Sequence, residues 1–485
     1  MIADTDIVPE GVELRDPEDF GALRKGIFDN VKNEMTRVFP QEFGGVKLAL
    51  KDVDYDGVDD TTLEQQRNAI MKGEYLARRL RGTLELYDTK SGELLDQKRM
   101  TLARVPYLTP RGTYIHNGSE YAPINQARLL PGSYTRIQNN GGLESQFNVR
   151  PGSGSRFRVA FEPETAQYRF RVKESDLHLY SLLHELGVPD DELEKSWGPE
   201  ILDINRRKFD SRVVDKAYAK FVPRRLQQPN ADAAQKREAL ASALKATQVH
   251  RGVLKANLPD GIEDDIMKTA SARPVDMGGT ASYLGGDSDH VHLGIKAVLA
   301  STRKLLNINK QLEQPDDSNA LRFQRFLTPD RLMAERLTLD ATNNRRNLVR
   351  MASRHRNLAG VMPFVFDKDI ESSFVSNPLA APLEEINPMS LVGQNRRITR
   401  MGPGGIGSSE AVTEDMQSVH ASQFGFLSPI EGPESEAAGI DNRLAYGLRI
   451  GSDGRPYQRF RNTRSGQFEW KSPEDLAGKV VAFPP

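Results

Sequence analysis

Asn387-Pro388-Met389-Ser390, Gln394-Asn395-Arg396-Arg397, Gly402-Pro403-Gly404-Gly405, His420 and Pro429-Ile430-Glu431-Gly432-Pro433-Glu434 follow one another in the stretch on which the reading of this chain turns. Two adjacent arginines run into a glycine-proline turn, and a pair of glutamates spaced by a proline follows about twenty-five residues later. Guanidinium groups fork onto phosphate oxygens, and glycines without a Cβ let the backbone approach a ligand closely. Taken alone, the residues fit slightly better a surface loop carrying two solvated arginines.

The surroundings add charge. Between Arg322 and Arg356 nine arginines face Asp330, Glu335 and Asp340, a formal +6 in 35 residues. That density attracts phosphate, although a solvated helix face laced with salt bridges reads the same way. Over the whole chain the formal net charge is −1, because residues 4–19, 52–64 and 408–415 are acidic, which argues against a protein that simply coats nucleic acid. With 485 residues, 38% hydrophobic and 27% charged, the chain is expected to hold about three domains. No apolar run approaches the ~18 residues of a membrane span. The absence of cysteine excludes disulfides and thiolate zinc sites.

Periodicity supplies a coarse map. Phe20, Leu23, Ile27, Val31, Met35 and Val38 predict a helix that ends before Pro40. Residues 83–105 alternate as two strands around a Lys90-Ser91-Gly92 turn, and short strand-and-turn units continue through Tyr114-Ile115, Asn139-Asn140-Gly141-Gly142 and Phe157–Phe161. A second unit is expected from about residue 165. It holds a helix over Leu177–Leu186, stopped by Gly187 and Pro189, and a further helix capped by Asp190 or Asp191. Residues 223–232 read as a connector, Ala233–Ala246 as a helix and 274–290 as a loop. Thr328 and Pro329 open the arginine-rich helix as cap and first residue. The fold class is α+β and multidomain, with mixed antiparallel sheets and helices.

Three motifs fail on inspection. Asp52-Val53-Asp54-Tyr55-Asp56-Gly57 begins like a calcium loop, but its twelfth position is Leu63 where a bidentate glutamate belongs, so an acidic surface turn is expected. Gly402, Gly404 and Gly407 fit a dinucleotide fingerprint, yet Arg396-Arg397-Ile398-Thr399-Arg400 precedes them instead of a buried strand and Pro403 spoils the turn. His290 and His292, beside Asp287 and Asp289, lack a third ligand.

The order and spacing of the opening stretch resemble the fork region of the second-largest, β-type subunit of multisubunit DNA-directed RNA polymerases. Weaker matches keep the same linear order. Val105-Pro106-Tyr107-Leu108-Thr109, Gly112-Thr113-Tyr114-Ile115, Asn117-Gly118-Ser119-Glu120, Gln126 and Leu130-Pro131-Gly132 resemble the protrusion, as does Gly154-Ser155-Arg156-Phe157. Tyr180–Asp191 resembles a helix of the lobe, and Asp316-Asp317, Asn319 and Arg322 resemble the approach to the fork. The resemblance implies a protrusion-like domain over 1–160, a lobe-like domain over 161–315, a protrusion return with the fork over 316–425, and the start of the external, active-centre wall region over 426–485. It implies that Arg396, Arg397, Gly404 and Gly405 lie by the RNA–DNA hybrid, that Glu431, Pro433 and Glu434 form a wall segment, and that Gln126 lies near the same surface.

Further expectations come with it. Catalytic magnesium would be held by a partner β′-like subunit, with no catalytic residue and no metal ligand in this chain. Partners would be a C-terminal β-like subunit, β′-like subunits, template DNA, the RNA transcript and a promoter-specificity subunit, with no membrane. The end at Pro485, some fifty residues past the second glutamate, suggests the split-subunit polymerases of giant tailed bacteriophages, working in the cytoplasm of the infected cell or packaged in the virion. The alternative is a non-catalytic β-like protein that docks on a host polymerase or serves as a virion component. Departures accompany the likeness. Gln394-Asn395 replaces a His-Lys, Gly407-Ser408-Ser409-Glu410 replaces a basic tip, and Ser435-Glu436-Ala437 replaces a Gly-Pro-Asn. Ala381 and Glu384 alter polar positions of the pocket that takes rifampicin-type inhibitors. The assembled enzyme should therefore transcribe at rifampicin concentrations that stop an ordinary bacterial polymerase; inhibition at those concentrations would refute this.

Overall fold

A computed structural model describes residues 6–56, 61–130, 132–138, 140–148, 157–172, 175–185, 188–221, 232–236, 295–375 and 377–482. The apolar stripe of the first segment forms the helix Phe20–Val38, opened by Asp19, whose carboxylate accepts from the Ala22 amide at 2.9 Å. Ile27, Val31 and Met35 are buried on one face. They pack with Leu48, Leu84, Leu86 and Leu102 of the antiparallel sheet made by Gln41–Phe43, Val46–Tyr55, Ala77–Asp88 and Leu94–Pro106. Met333, Leu337, Leu348 and Val349 of the long helix Pro329–His355 complete this core. Each such side chain contributes about 1.5–3 kcal/mol by leaving water. The hairpin turn falls where the sequence places it. Gly92 has φ +72°, and Asp88 ties the turn by accepting from the Lys90 amide at 2.7 Å.

The chain divides into two compact units, one of Met1–Arg128 with Asn319–Pro485 and the other of Leu129–Ser318. Among the described residues, the first holds three further small sheets besides the one above. Of these, the one that matters for the site orders Gln324–Leu327, Asn125–Leu129, Arg397–Thr399 and Asp441–Arg443. The second unit is built on a five-stranded antiparallel sheet in the order Ser175–His178, Gln167–Val172, Phe157–Glu162, Leu143–Asn148, Gly132–Ile137. Its core stacks Phe147 on Phe157, with ring centroids 4.4 Å apart. Tyr168 and Trp197 lie against the helix Ile295–Asn309, where Thr302 accepts from the Tyr168 hydroxyl at 2.9 Å and from Trp197 Nε1 at 2.8 Å. The mixed helices and antiparallel sheets make the α+β multidomain architecture expected.

Several local expectations change. A boundary at 160/161 would cut through the strand Phe157–Glu162, so the sheet itself forbids it. The helix foreseen from Leu177 starts at Leu179, because Leu177 and His178 pair with Phe170 and Arg169 across the sheet. Pro189 occupies the cap of Asp190–Trp197 without a side-chain bond, and Asp190 instead accepts from the Tyr180 hydroxyl at 3.2 Å. The acidic stretch at 52 is not a turn: Asp52 sits at a bulge of the strand Val46–Tyr55, Asp54 pairs with Lys32 and Asp56 with Arg81. Residues 223–231, 237–246, 274–290, His290 and His292 lie outside the described residues. Phe147→Ala should cost the second unit about 3–5 kcal/mol, read by urea titration of Trp197 fluorescence in a Trp470→Phe background. A loss below about 1 kcal/mol would contradict the core assignment.

Candidate functional site

The helix Pro388–Asn395 delivers the two arginines. Asn387 caps it, its side-chain oxygen accepting from the amides of Met389 at 2.8 Å and Ser390 at 3.0 Å. The chain leaves the helix at Arg396 and enters the strand Arg397–Thr399, where Ile398 is buried. That strand pairs in parallel with Asn125-Gln126 and antiparallel with Asp441–Arg443. The turn then closes on itself: Gly402 donates to the Ile406 carbonyl at 2.9 Å, and Ile406 donates to that of Arg400 at 3.0 Å. Gly402 and Gly404 have φ of +102° and +80°, so both need glycine. Gly405 needs it for space, since a Cβ there would run into the Arg400 carbonyl oxygen and lie 2.9 Å from Gln126 Nε2.

Gln126 holds this turn from beneath. It is fully buried, and its Nε2 donates to the carbonyls of Met401 at 2.8 Å and Pro403 at 3.2 Å. Its Oε1 accepts from Arg128, 3.2 Å from Nε and 2.8 Å from Nη2. Arg128 Nη2 also reaches the Pro403 carbonyl at 2.8 Å, while Nη1 pairs with both carboxylate oxygens of Glu335 on the long helix, at 2.8 and 2.7 Å. A second brace stands on the far side. Arg400 Nη1 donates to Asn319 Oδ1 at 2.8 Å and to the Met416 carbonyl at 2.7 Å.

Both adjacent arginines are already engaged. Arg396 makes a two-pronged pair with Glu18, Nε to Oε1 at 2.8 Å and Nη2 to Oε2 at 3.1 Å, and lies 5.0 Å from the centre of the Tyr446 ring. The Glu18 carboxylate raises the Arg396 pKa above its ordinary value, its hydrogen bond being the largest cause. Arg397 Nη2 donates to Asp441 Oδ2 at 2.5 Å. Neither guanidinium is the solvated group of the loop alternative. Glu431 and Glu434 are exposed, with Pro433 half-buried between them. The Glu431 amide donates to Ser428 Oγ at 3.4 Å, and Ile430 beside it is 89% exposed. Gly407-Ser408-Ser409-Glu410 is exposed throughout. The structure thus brings Gln126 against Met401, Pro403 and Gly405 of the turn that holds Gly404, with Arg397 on the adjoining strand and Arg396 at the end of the helix before it.

Sequence reading missed Arg128, Glu335, Glu18, Asp441 and Arg443. Arg128, Glu335, Glu18 and Asp441 are ordinary charged residues that pair with groups far away in the chain, as with Arg396 and Glu18 at 378 residues, and Arg443 meets Arg397 only through strand pairing, so no local pattern marks them. Among the described residues, no group of three or more His, Asp or Glu side chains could hold a metal ion. No helix among them is long and apolar enough to cross a membrane. Gln126→Leu would strip partners from buried carbonyls and from Arg128, at about 1–3 kcal/mol for each buried group left unpaired. Thermal melting should show that loss, and limited proteolysis should cut within Gly402–Gly407 faster than in the parent chain. Equal cleavage would refute the bracing role.

Comparison with known proteins follows the same residues. The family model described as RNA polymerase Rpb2, domain 3, matches residues 382–450, which include the capped helix, both arginines, the turn and the two glutamates. A DNA-directed RNA polymerase subunit beta of Prochlorococcus marinus (strain AS9601) is 24% identical over 475 residues, covering 92% of this chain and 40% of the relative. The corresponding subunit of Cyanidium caldarium is 22% identical over 401 residues, covering 79% of this chain and 34% of the relative. The chain spans about one third to two fifths of the length of these curated relatives. Built around a braced glycine turn inside the matched segment, this chain carries a β-subunit-like region of the RNA polymerase type.

Proposed function

We propose that the chain acts as an N-terminal β-like subunit of a multisubunit DNA-directed RNA polymerase, of the split-subunit type found in giant tailed bacteriophages. In this reading it forms part of the DNA channel and the wall beside the RNA–DNA hybrid. The observation that carries it is the likeness along 92% of the chain to polymerase β subunits, with the Rpb2 domain 3 match centred on the candidate site. The geometry suits the role. A wall beside a moving hybrid has to keep its shape, and the Gln126, Arg128 and Asn319 braces hold the turn without help from a ligand. Most contacts from such a wall go to phosphate and sugar, and they position the duplex without reading its sequence.

Phosphoryl transfer in this assembly belongs to partner chains. A β′-like subunit would hold magnesium, which stabilises the attacking and leaving oxygens. A C-terminal β-like subunit, template DNA, transcript and a promoter-specificity subunit complete the set, in the infected cell's cytoplasm or in the virion. The second reading, a non-catalytic β-like protein docked on a host polymerase or built into the virion, draws support from the carboxylates that already occupy Arg396 and Arg397.

Affinity purification of the chain from its native source, followed by intact-mass identification and nucleotide-incorporation assay, separates the two. The first reading expects stoichiometric β-C-terminal-like and β′-like partners and template-dependent RNA synthesis that the isolated chain lacks. Recovery with host polymerase subunits or virion proteins alone, without synthesis, would overturn it. Recovery within one longer continuous β polypeptide would overturn the split-subunit part.

A further inference from the structure

Arg397 and Arg443 stand directly opposite each other across the antiparallel pair Arg397–Thr399 and Asp441–Arg443. Like charges in that position repel, and the carboxylate of Asp441, bonded to Arg397, offsets the repulsion in part. Arg397 has one carboxylate oxygen, Asp441 Oδ2, and its buried Nε finds no acceptor among the described residues. Arg443 has less: its side-chain hydrogen bond is from Nη1 to the adjoining Asn442 carbonyl at 3.4 Å, and among the described residues no carboxylate lies within ion-pair distance of it. Asp441 and Glu431 act on Arg443 only at longer range, while burial first and Arg397 second pull its pKa below the ordinary arginine value. Arg397 and Arg443 are both half-buried residues. In the turn that follows Arg443, Tyr446 is 82% exposed, and the Arg396 guanidinium lies 5.0 Å from the centre of its ring, a cation–π contact.

We propose that Arg397 and Arg443 form a clamp for a phosphate group of single-stranded RNA, with Tyr446 as the platform for a neighbouring base. Two guanidinium forks side by side supply the donors a phosphate takes up, and an exposed aromatic ring beside a cationic groove is how single strands are held without sequence preference. The proposal rests on the polymerase reading for RNA as the phosphate source, not for the clamp itself.

The test uses the purified full chain and two probes: a fluorescein-labelled single-stranded RNA of about ten nucleotides, followed by anisotropy across a salt series, and inorganic phosphate, followed by thermal melting. Arg443→Gln should weaken RNA binding roughly tenfold, the loss of one charge-assisted contact. It should also reduce the salt slope by about 0.7, one phosphate contact on a single strand. Arg443→Lys should fall between. In phosphate-free buffer Arg443→Gln should melt higher than the parent, because the cross-strand repulsion is gone, and added phosphate should raise the melt of the parent alone. Unchanged RNA affinity and slope, with phosphate stabilising both proteins equally, would overturn the clamp. A phosphate response confined to the parent, with RNA affinity unchanged, would support the clamp and overturn RNA as its ligand. Loss of RNA binding in Arg443→Gln alongside failure to recover polymerase partners would leave the clamp standing and remove the polymerase reading.

Discussion

One buried amide sets the shape of the candidate site. Gln126 lies on a strand near residue 125, and the turn it supports begins at Gly402, so its hydrogen bonds to Met401 and Pro403 join segments 275 and 277 residues apart. A neutral amide suits the position because it donates to two carbonyls and accepts from a guanidinium at the same time. A charged or apolar side chain there would leave one of these buried groups without its partner. Through Arg128 the constraint extends to Glu335, and so to the long helix Pro329–His355 that also closes the main hydrophobic core. The turn is therefore fastened to the body of the unit rather than laid on its surface.

Arg396 and Arg397 come out differently from a simple phosphate-facing pair. Glu18 and Asp441 hold them in place, so each guanidinium is kept in one orientation. Orientation of this kind lowers the conformational cost of binding, while the carboxylates reduce the net charge on offer. The surplus positive charge sits one strand over, at Arg443. Opposed arginines cost the fold a few tenths to about 1 kcal/mol, which is small beside the whole and large enough for a bound anion to matter.

Where structure is local, residue order reveals it. The helix Phe20–Val38, the hairpin around Gly92, and the Thr328-Pro329 start of the long helix follow from periodicity and capping chemistry within a few residues. The expected division near 160 does not follow, because strand alternation looks the same on both sides of a unit boundary and only the continuous pairing from Gly132–Ile137 to Ser175–His178 reveals one sheet. Leu177 illustrates the same limit: its apolar spacing fits a helix, and pairing with Phe170 makes it strand. The glycine turn was readable as a backbone requirement. Of its supports, Gln126 was marked only by the resemblance, and Arg128 and Glu335 carry no local signal of each other 207 residues apart.

The first unit is discontinuous, with Leu129–Ser318 inserted between its two parts. That arrangement has a consequence in time. When Arg128 has been made, the helix Phe20–Val38 and its sheet still lack Met333, Leu337, Leu348 and Val349, and Gln126 has no turn to hold. At about 5–20 residues per second of synthesis, the wait for the returning segment lasts on the order of 10–40 seconds. For that interval the apolar face meant for the long helix is open to other chains. Bringing such distant segments together is also the slow kind of folding, in which loop closure precedes its reward. Leu129–Ser318, whose sheet pairs nearest neighbours in order, can fold while the earlier part waits.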